Sequence, residues 1–414
     1  MRRRRWPRPA RRPITERRRV PGLGSALGLE HNNRVIFWAM AFNELSIGFY
    51  QTLNPLYIQS LGASPGLVGT VIGIQGLVRL VFLAPAGWLA DRIPMRTLIA
   101  GGRSMTVLGL ILYGLAQEWW QLIPAIMVMS IGNVSFPVIS KAIADASDDA
   151  TRTRAFTLIY TVGPSSALLI SPLLAGPLAE IVALRAIFFA AAAAAGVSVL
   201  FFTRLKPIER AVDAEPGGGY RDVLTYKPVL IVCGMFMALL LVLTSGFTLV
   251  PNYLQDVHGV SISTIGQFGS IFALGSVIMG ITVARVRALS QPWNALLFAT
   301  LLCPVAFLLF YVGGSVWIFA VAFLFRGGYL VSWSLIYAAL GDVTPERLRS
   351  RAFALSELLG GAGFAIAPFV AGALYEVDPA LPLLAATAGV VPLAIAMLLV
   401  RRYLASRAAT PSPA

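Results

Sequence analysis

The 414-residue chain has little charge: Asp, Glu, Lys and Arg together make up 13% of it, where a soluble domain carries about a quarter. A water-soluble protein of this length could not cover its surface with so few charges. Cysteine and histidine are also scarce, two of each. Cys233 and Cys303 lie far apart in apolar stretches, which excludes a disulfide framework and a cysteine metal spacing. His31 and His258 are too few for a histidine-based zinc site or a Ser-His-Asp or Cys-His catalytic set. No G-x-x-x-x-G-K-S/T loop is present, so the chain is not expected to hydrolyse nucleotides. No enzyme activity, cofactor or metal is expected.

Apolar residues make up 57% of the chain. A membrane helix needs about 20 mostly apolar residues. Twelve such stretches lie near 35–59, 65–90, 97–117, 119–143, 153–179, 183–203, 228–255, 261–284, 292–313, 315–341, 350–376 and 380–400. Glycine and proline recur inside them, as membrane helices tolerate. The expected organisation is a basic, disordered tail over 1–33, a six-helix bundle over 34–203, a polar linker over 204–227, a second six-helix bundle over 228–402 and a short tail over 403–414. The first nineteen residues hold ten arginines and no apolar core. They read as a tail lying against anionic headgroups rather than as a secretory signal.

The formal net charge of +14 suggests nucleic acid only until the charges are placed. With twelve spans, all Lys and Arg fall on one side except Arg185 on the other side and Arg79 and Arg326 inside spans. That tally puts Arg103 with the flanking residues Arg92 and Arg96. An excess of Lys and Arg marks the cytoplasmic face, so both termini are expected there and no nucleic-acid partner is expected.

The two halves repeat each other. Pro55, Tyr57 and Gln59 recur as Pro251, Tyr253 and Gln255, and Gly62, Ser64 and Gly69 as Gly259, Ser261 and Gly266. Asp145, Arg152 and the Arg-Ala-Phe at 154–156 recur as Asp342, Arg349 and the same triplet at 351–353. Pro172, Gly176, Leu178 and Glu180 recur as Pro368, Gly372, Leu374 and Glu376. Chance apolar similarity would not hold polar residues and prolines in one register. The fold expected is all-α, twelve transmembrane helices in two pseudo-symmetric bundles.

The loop after the second span, Gly87-Trp-Leu-Ala-Asp91-Arg92-Ile-Pro-Met-Arg96, resembles the G-x-L-a-D-R-x-G-R-R loop of the major facilitator superfamily. Gly87, Asp91, Arg92 and Arg96 fit; Pro94 and Met95 depart from it. Arg326-Gly327-Gly328 resembles that family's R-G motif, and Ser171-Pro172-Leu-Leu-Ala175-Gly176 a worn form of its exporter motif. The resemblance covers nearly all of 33–402. It implies a secondary transporter working by alternating access, a cytoplasmic gate loop in which Asp91 faces the start of span 11, and a central cavity lined by spans 1, 4, 7 and 10.

Those four spans each carry a polar or aromatic face at helical spacing. Span 1 presents Asn43, Glu44, Gln51 and Asn54, and span 7 presents Thr248 and Asn252. Span 4 presents Asn133, and span 10 presents Arg326, Tyr329, Trp333 and Tyr337. Charges at mid-membrane are costly unless they face a cavity or a partner. Glu44 lies roughly 15 Å from the cytoplasmic end of its span at 1.5 Å per residue, at nearly the depth of Arg79. It is read either as a proton carrier tuned by Arg79 or Arg326, or as half of a static Glu44–Arg79 pair. Arg326 is read either as a receptor for an anionic solute group or as a paired structural charge. The span 10 aromatics are read either as a stacking surface for a flat ligand or as packing. Lys141 is read as snorkelling, and Glu357 as serving the start of its helix.

The expected function is transport of a small molecule by a monomer in the plasma membrane, with protons and membrane lipids as partners. The lean is to antiport-type efflux of an amphipathic, drug-like compound. Uptake of a small nutrient or an organic anion is the alternative, and a non-transporting receptor or scaffold on the same fold the remote one.

Overall fold

Prolines decide where the first helix of each half breaks. In the computed structural model, which describes residues 29–83, 92–145, 158–206 and 220–409, span 1 runs His31–Tyr50, turns through 51–53 and resumes as Asn54–Ser60. Span 7 does the same, Lys227–Thr248 resuming as Val250–Asp256. Pro55 and Pro251 each sit in the first turn of the resumed helix, where a missing N–H costs nothing. Gly62 and Gly259 then reverse the chain at φ +86° and +63°, a left-handed geometry that glycine adopts without strain.

Among the described residues, ten helical stretches are long and apolar enough to cross a membrane. They include span 2 (Pro65–Leu83), span 3 (Met95–Leu115), span 8 (Ile262–Arg285), span 9 (Pro292–Val312), span 10 (Val316–Val343), span 11 (Arg349–Val377) and span 12 (Leu381–Ala409). Span 5 enters through a π-helical turn, Leu158–Val162, and continues as Gly163–Ile181. Span 6, Ala186–Phe202, is shorter, and with the broken span 1 it completes the twelve. The fold is all-α, two pseudo-symmetric bundles of six. Large apolar side chains such as Ile181, Trp317, Val377 and Leu399 stand exposed, as a lipid-facing surface requires.

Span 4 is irregular where it matters. It runs Leu122–Ser130, tightens to a 3-10 turn over Ile131–Val134 and resumes as Ser135–Asp145. The tight turn lies against span 3, where a Cβ on Gly132 would meet the Thr106 hydroxyl at 1.9 Å. Irregular backbone at membrane depth is tolerated where it is covered by protein or lines a cavity.

The halves meet along two seams made of the repeat's own residues. Span 2 packs on span 11, and a Cβ on Gly69 would lie 2.2 Å from the Pro368 carbonyl oxygen. Span 5 packs on span 8, and a Cβ on Gly266 would lie 2.5 Å from the Gly176 Cα. Small residues let membrane helices approach this closely. Gly69 pairs in sequence with Gly266, and Gly176 with Gly372, so one joint is built twice.

The end of the molecule away from the linker is further closed by polar contacts. The Glu376 carboxylate accepts from the Ser64 hydroxyl at 2.7 Å and the Gly66 N–H at 3.1 Å, at the start of span 2. Its repeat partner Glu180 accepts from the Ser263 N–H at 2.9 Å, at the start of span 8. Both carboxylates therefore sit on the positive end of a helix dipole in the opposite half. Between them Asp256 accepts from the Gln59 amide at 3.2 Å and from the Tyr375 hydroxyl at 2.9 Å.

Candidate functional site

A cavity of about 340 Å³ lies on the linker side of this closure. Span 1 contributes Asn43, Tyr50, Gln51 and Asn54; span 2 Gln75 and Arg79; span 3 Arg103 and Thr106; span 4 Ser130 and Asn133. Across from them stand Thr248 of span 7 and Phe364 of span 11. Six sequence candidates thus meet here: Asn43, Gln51, Asn54, Arg79, Asn133 and Thr248. The break in span 1 explains two of them, because the turn at 51–53 aims Gln51 and Asn54 at one space. Asn54 is held by the Tyr113 hydroxyl at 2.9 Å, and Tyr113 in turn packs on Tyr57 and Phe188.

Glu44 lines a second cavity of about 290 Å³, with Tyr160, Ser165, Leu168 and Ser276. It forms no ion pair with Arg79 among the described residues, which removes the static pair as a reading. Its bond is to the Asn43 amide, which donates to Oε1 at 3.3 Å. The same amide accepts at 2.8 Å from Nη1 of Arg103. A carboxylate, an amide and a guanidinium are thereby strung in one line.

Arg103 is the residue that the charge tally misplaced. It stands eight residues inside span 3, is 8% exposed and faces the cavity. A count of flanking positives extends well beyond a helix end, so it absorbed a charge that belongs to the interior. Its Nε and Nη2 are buried without a hydrogen-bond partner.

Arg326 is corrected as well. It forms no ion pair with Glu44 among the described residues and is not in the wall of the larger cavity, its guanidinium 4.8 to 5.4 Å from the ring centres of Phe247, Phe272 and Phe323. Cation–π contact with three rings stabilises it there by up to about 2 kcal/mol per ring when desolvated. The span 10 aromatics pack rather than line: Tyr329 shares a hydrogen bond with Thr244 at 2.9 Å, Trp333 meets Phe236 and Phe364 edge-on, and Tyr337 bonds the Glu357 carboxylate. Asn252 belongs to the closed end, where it donates to the Pro55 carbonyl at 3.3 Å and to the Gln59 side chain. Of the gate loop, Arg92 and Arg96 are exposed at the start of span 3. Gly87 and Asp91 lie outside the described residues, as does the side chain of Lys141.

Two helical bundles of membrane-spanning length enclosing a cavity of about 340 Å³ with polar side chains in its wall define an integral membrane protein with a central site. The Major Facilitator Superfamily model matches residues 36–331 and 233–414, and the chain belongs to that family. The inner membrane transport protein YajR of Escherichia coli (strain K12) is 26% identical over 290 residues, 66% of this chain and 58% of that one; the chain thus spans less than two thirds of this relative's length. Among solved structures, the nucleoside transporter NupG aligns at TM-score 0.73 and 15% identity, covering 90% of this chain and 100% of its own. A bacterial homologue of the human lysosomal transporter Spinster, in an inward-facing, unoccupied conformation, aligns at 0.71 and 16%, covering 94% and 99%. At such identity these likenesses show the fold. The protein is a multi-pass membrane protein of this superfamily.

Proposed function

We propose that this chain is a proton-coupled carrier whose two halves, 34–203 and 228–402, rock about the glycine seams to expose the 340 Å³ cavity to each side in turn, with Glu44 carrying the coupling proton. The observation behind this reading is the line Glu44–Asn43–Arg103. It places an ionisable carboxylate one amide away from a buried guanidinium at the cavity wall. A charge change at one end is felt at the other through that amide, because low local dielectric strengthens such coupling. The arginine distribution supports both termini being cytoplasmic in the cell membrane, and nothing in the seams calls for more than a monomer.

The aromatic face of span 10 is occupied by packing, so a drug-like, amphipathic solute loses the surface that favoured it. A small hydrophilic solute suits the amide-rich wall. In proteoliposomes, Glu44→Gln is expected to abolish accumulation driven by a pH gradient while sparing solute exchange at equal pH. Undiminished gradient-driven accumulation by this variant would overturn the coupling role.

A further inference from the structure

We infer that the solute is a small organic anion, bearing a carboxylate or a phosphate, seated on Arg79 over Arg103. The inference rests on the carrier reading for its biological meaning, but the site can be tested without transport. Both charged residues that line the larger cavity are arginines, and none of its lining residues is acidic. Arg79 is exposed and has neither a hydrogen bond nor an ion pair among the described residues, although it lies within the apolar span 2. A guanidinium inside such a span is expensive unless water or a counter-charge reaches it.

Behind it, Arg103 has spent one donor on Asn43 and left Nε and Nη2 buried and unpartnered. These two N–H groups form the side-on edge of the fork that matches a carboxylate or phosphate. The Glu44 carboxylate lines the other cavity and takes its bond from Asn43. Arg326 is screened by its rings. The larger cavity is therefore a positively charged box with amides for a polar body and the Tyr50 and Phe364 rings for its carbon face. Its volume of about 340 Å³ lies at the lower end of the range for small-molecule sites. Glu44 stands one amide from Arg103, so an arriving anion would chiefly supply the counter-charge that Arg79 lacks.

The test uses purified full-length protein with Thr248→Cys as a reporter on the cavity wall. The native Cys233 and Cys303 are fully buried and silent to water-soluble reagents. Labelling is compared between an anionic sulfonate and a cationic trimethylammonium methanethiosulfonate, each normalised to its rate with free cysteine. The sulfonate is expected to be favoured by about tenfold, the scale on which a charged cleft concentrates ions of opposite sign. Arg79→Gln should erase most of that preference and Arg79→Lys restore it. Protection is then measured with matched probes at millimolar concentration: glucuronate and glucose 6-phosphate against glucose, benzoate against benzamide. Protection by the carboxylates alone, or by the phosphate alone, assigns the headgroup. Equal labelling by the two reagents, a preference that survives Arg79→Gln, or protection by no anion beyond its neutral partner overturns the anion site. Anion protection without flux in proteoliposomes would keep this site and sink the carrier reading.

Discussion

The seams and the cavity wall treat the internal repeat in opposite ways. At the seams, Gly69 and Gly266, Gly176 and Gly372, and Glu180 and Glu376 are the same residue in both halves and do the same work. At the wall, the positions equivalent to Asn43 and Glu44 are Leu239 and Leu240, both buried in the second half's core. Those equivalent to Arg79 and Arg103 are Ser276 and Thr300. The joint between halves is made twice, so its sterics bind both copies. A small asymmetric solute has one charged end, so only one half needs to meet it.

The largest effect should come from filling a seam. Gly69→Leu would drive its Cβ into the backbone carbonyl of Pro368, where no side chain can move aside. Overpacking of this kind costs about 3 kcal/mol or more when backbone must shift. Gly266→Leu should cost a similar amount, since it meets the Gly176 backbone. Thermal unfolding of the purified variants, read with size-exclusion homogeneity, checks this. One variant tolerated and the other not would break the equivalence of the two seams.

The cavity wall should respond with the opposite sign. Arg103 is buried with two donors unpaired, and replacing a poorly satisfied buried charge by an apolar group of similar size is often neutral or stabilising by about 1–4 kcal/mol. Arg103→Met is therefore expected to hold or raise the melting temperature while removing the anion preference at Thr248→Cys. Its repeat equivalent Thr300 shares only a 3.5 Å contact with Ser332. Thr300→Val should change stability by less than about 1 kcal/mol and leave that preference intact. A large loss of stability in Arg103→Met would mark the residue as structural and erase the contrast between the halves.

This contrast also explains what could be read in the sequence. The twelve spans, the duplication and the seam residues were legible because lipid imposes length and close packing imposes glycine, and both leave periodic marks. Asn43, Gln51 and Asn54 were legible because a polar face on an apolar helix is conspicuous. Arg103 was not, because a charge eight residues inside a helix resembles a flanking one in a count along the chain. Arg326 was misread for the converse reason. Its three phenylalanines come from spans 7, 8 and 10, and only tertiary structure brings them together. Helical spacing reports which side chains share a face; whether that face meets water or another helix is decided by packing.

The smallest expected effect probes the closed end, where the two halves should again agree. Glu180→Gln and Glu376→Gln each keep a hydrogen-bond acceptor and remove the charge from a helix N-terminus, an interaction worth about 0.3–1 kcal/mol at an exposed site. If these carboxylates hold the far end shut, each substitution shifts the population toward an open far end by about two- to fivefold. The shift can be read as the labelling rate of Gln51→Cys by an impermeant thiol reagent applied from that side. The double variant should multiply the two factors, because the seams lie on different helix pairs and share no contact among the residues involved. Glu376 also accepts from the Ser64 hydroxyl, so Ser64→Ala should give a fraction of the Glu376→Gln effect and nothing beyond it in the Glu376→Gln background. An unchanged rate in the double variant would leave the glycine seams as the whole of the closure, with the carboxylates as bystanders on a joint that packing alone keeps closed.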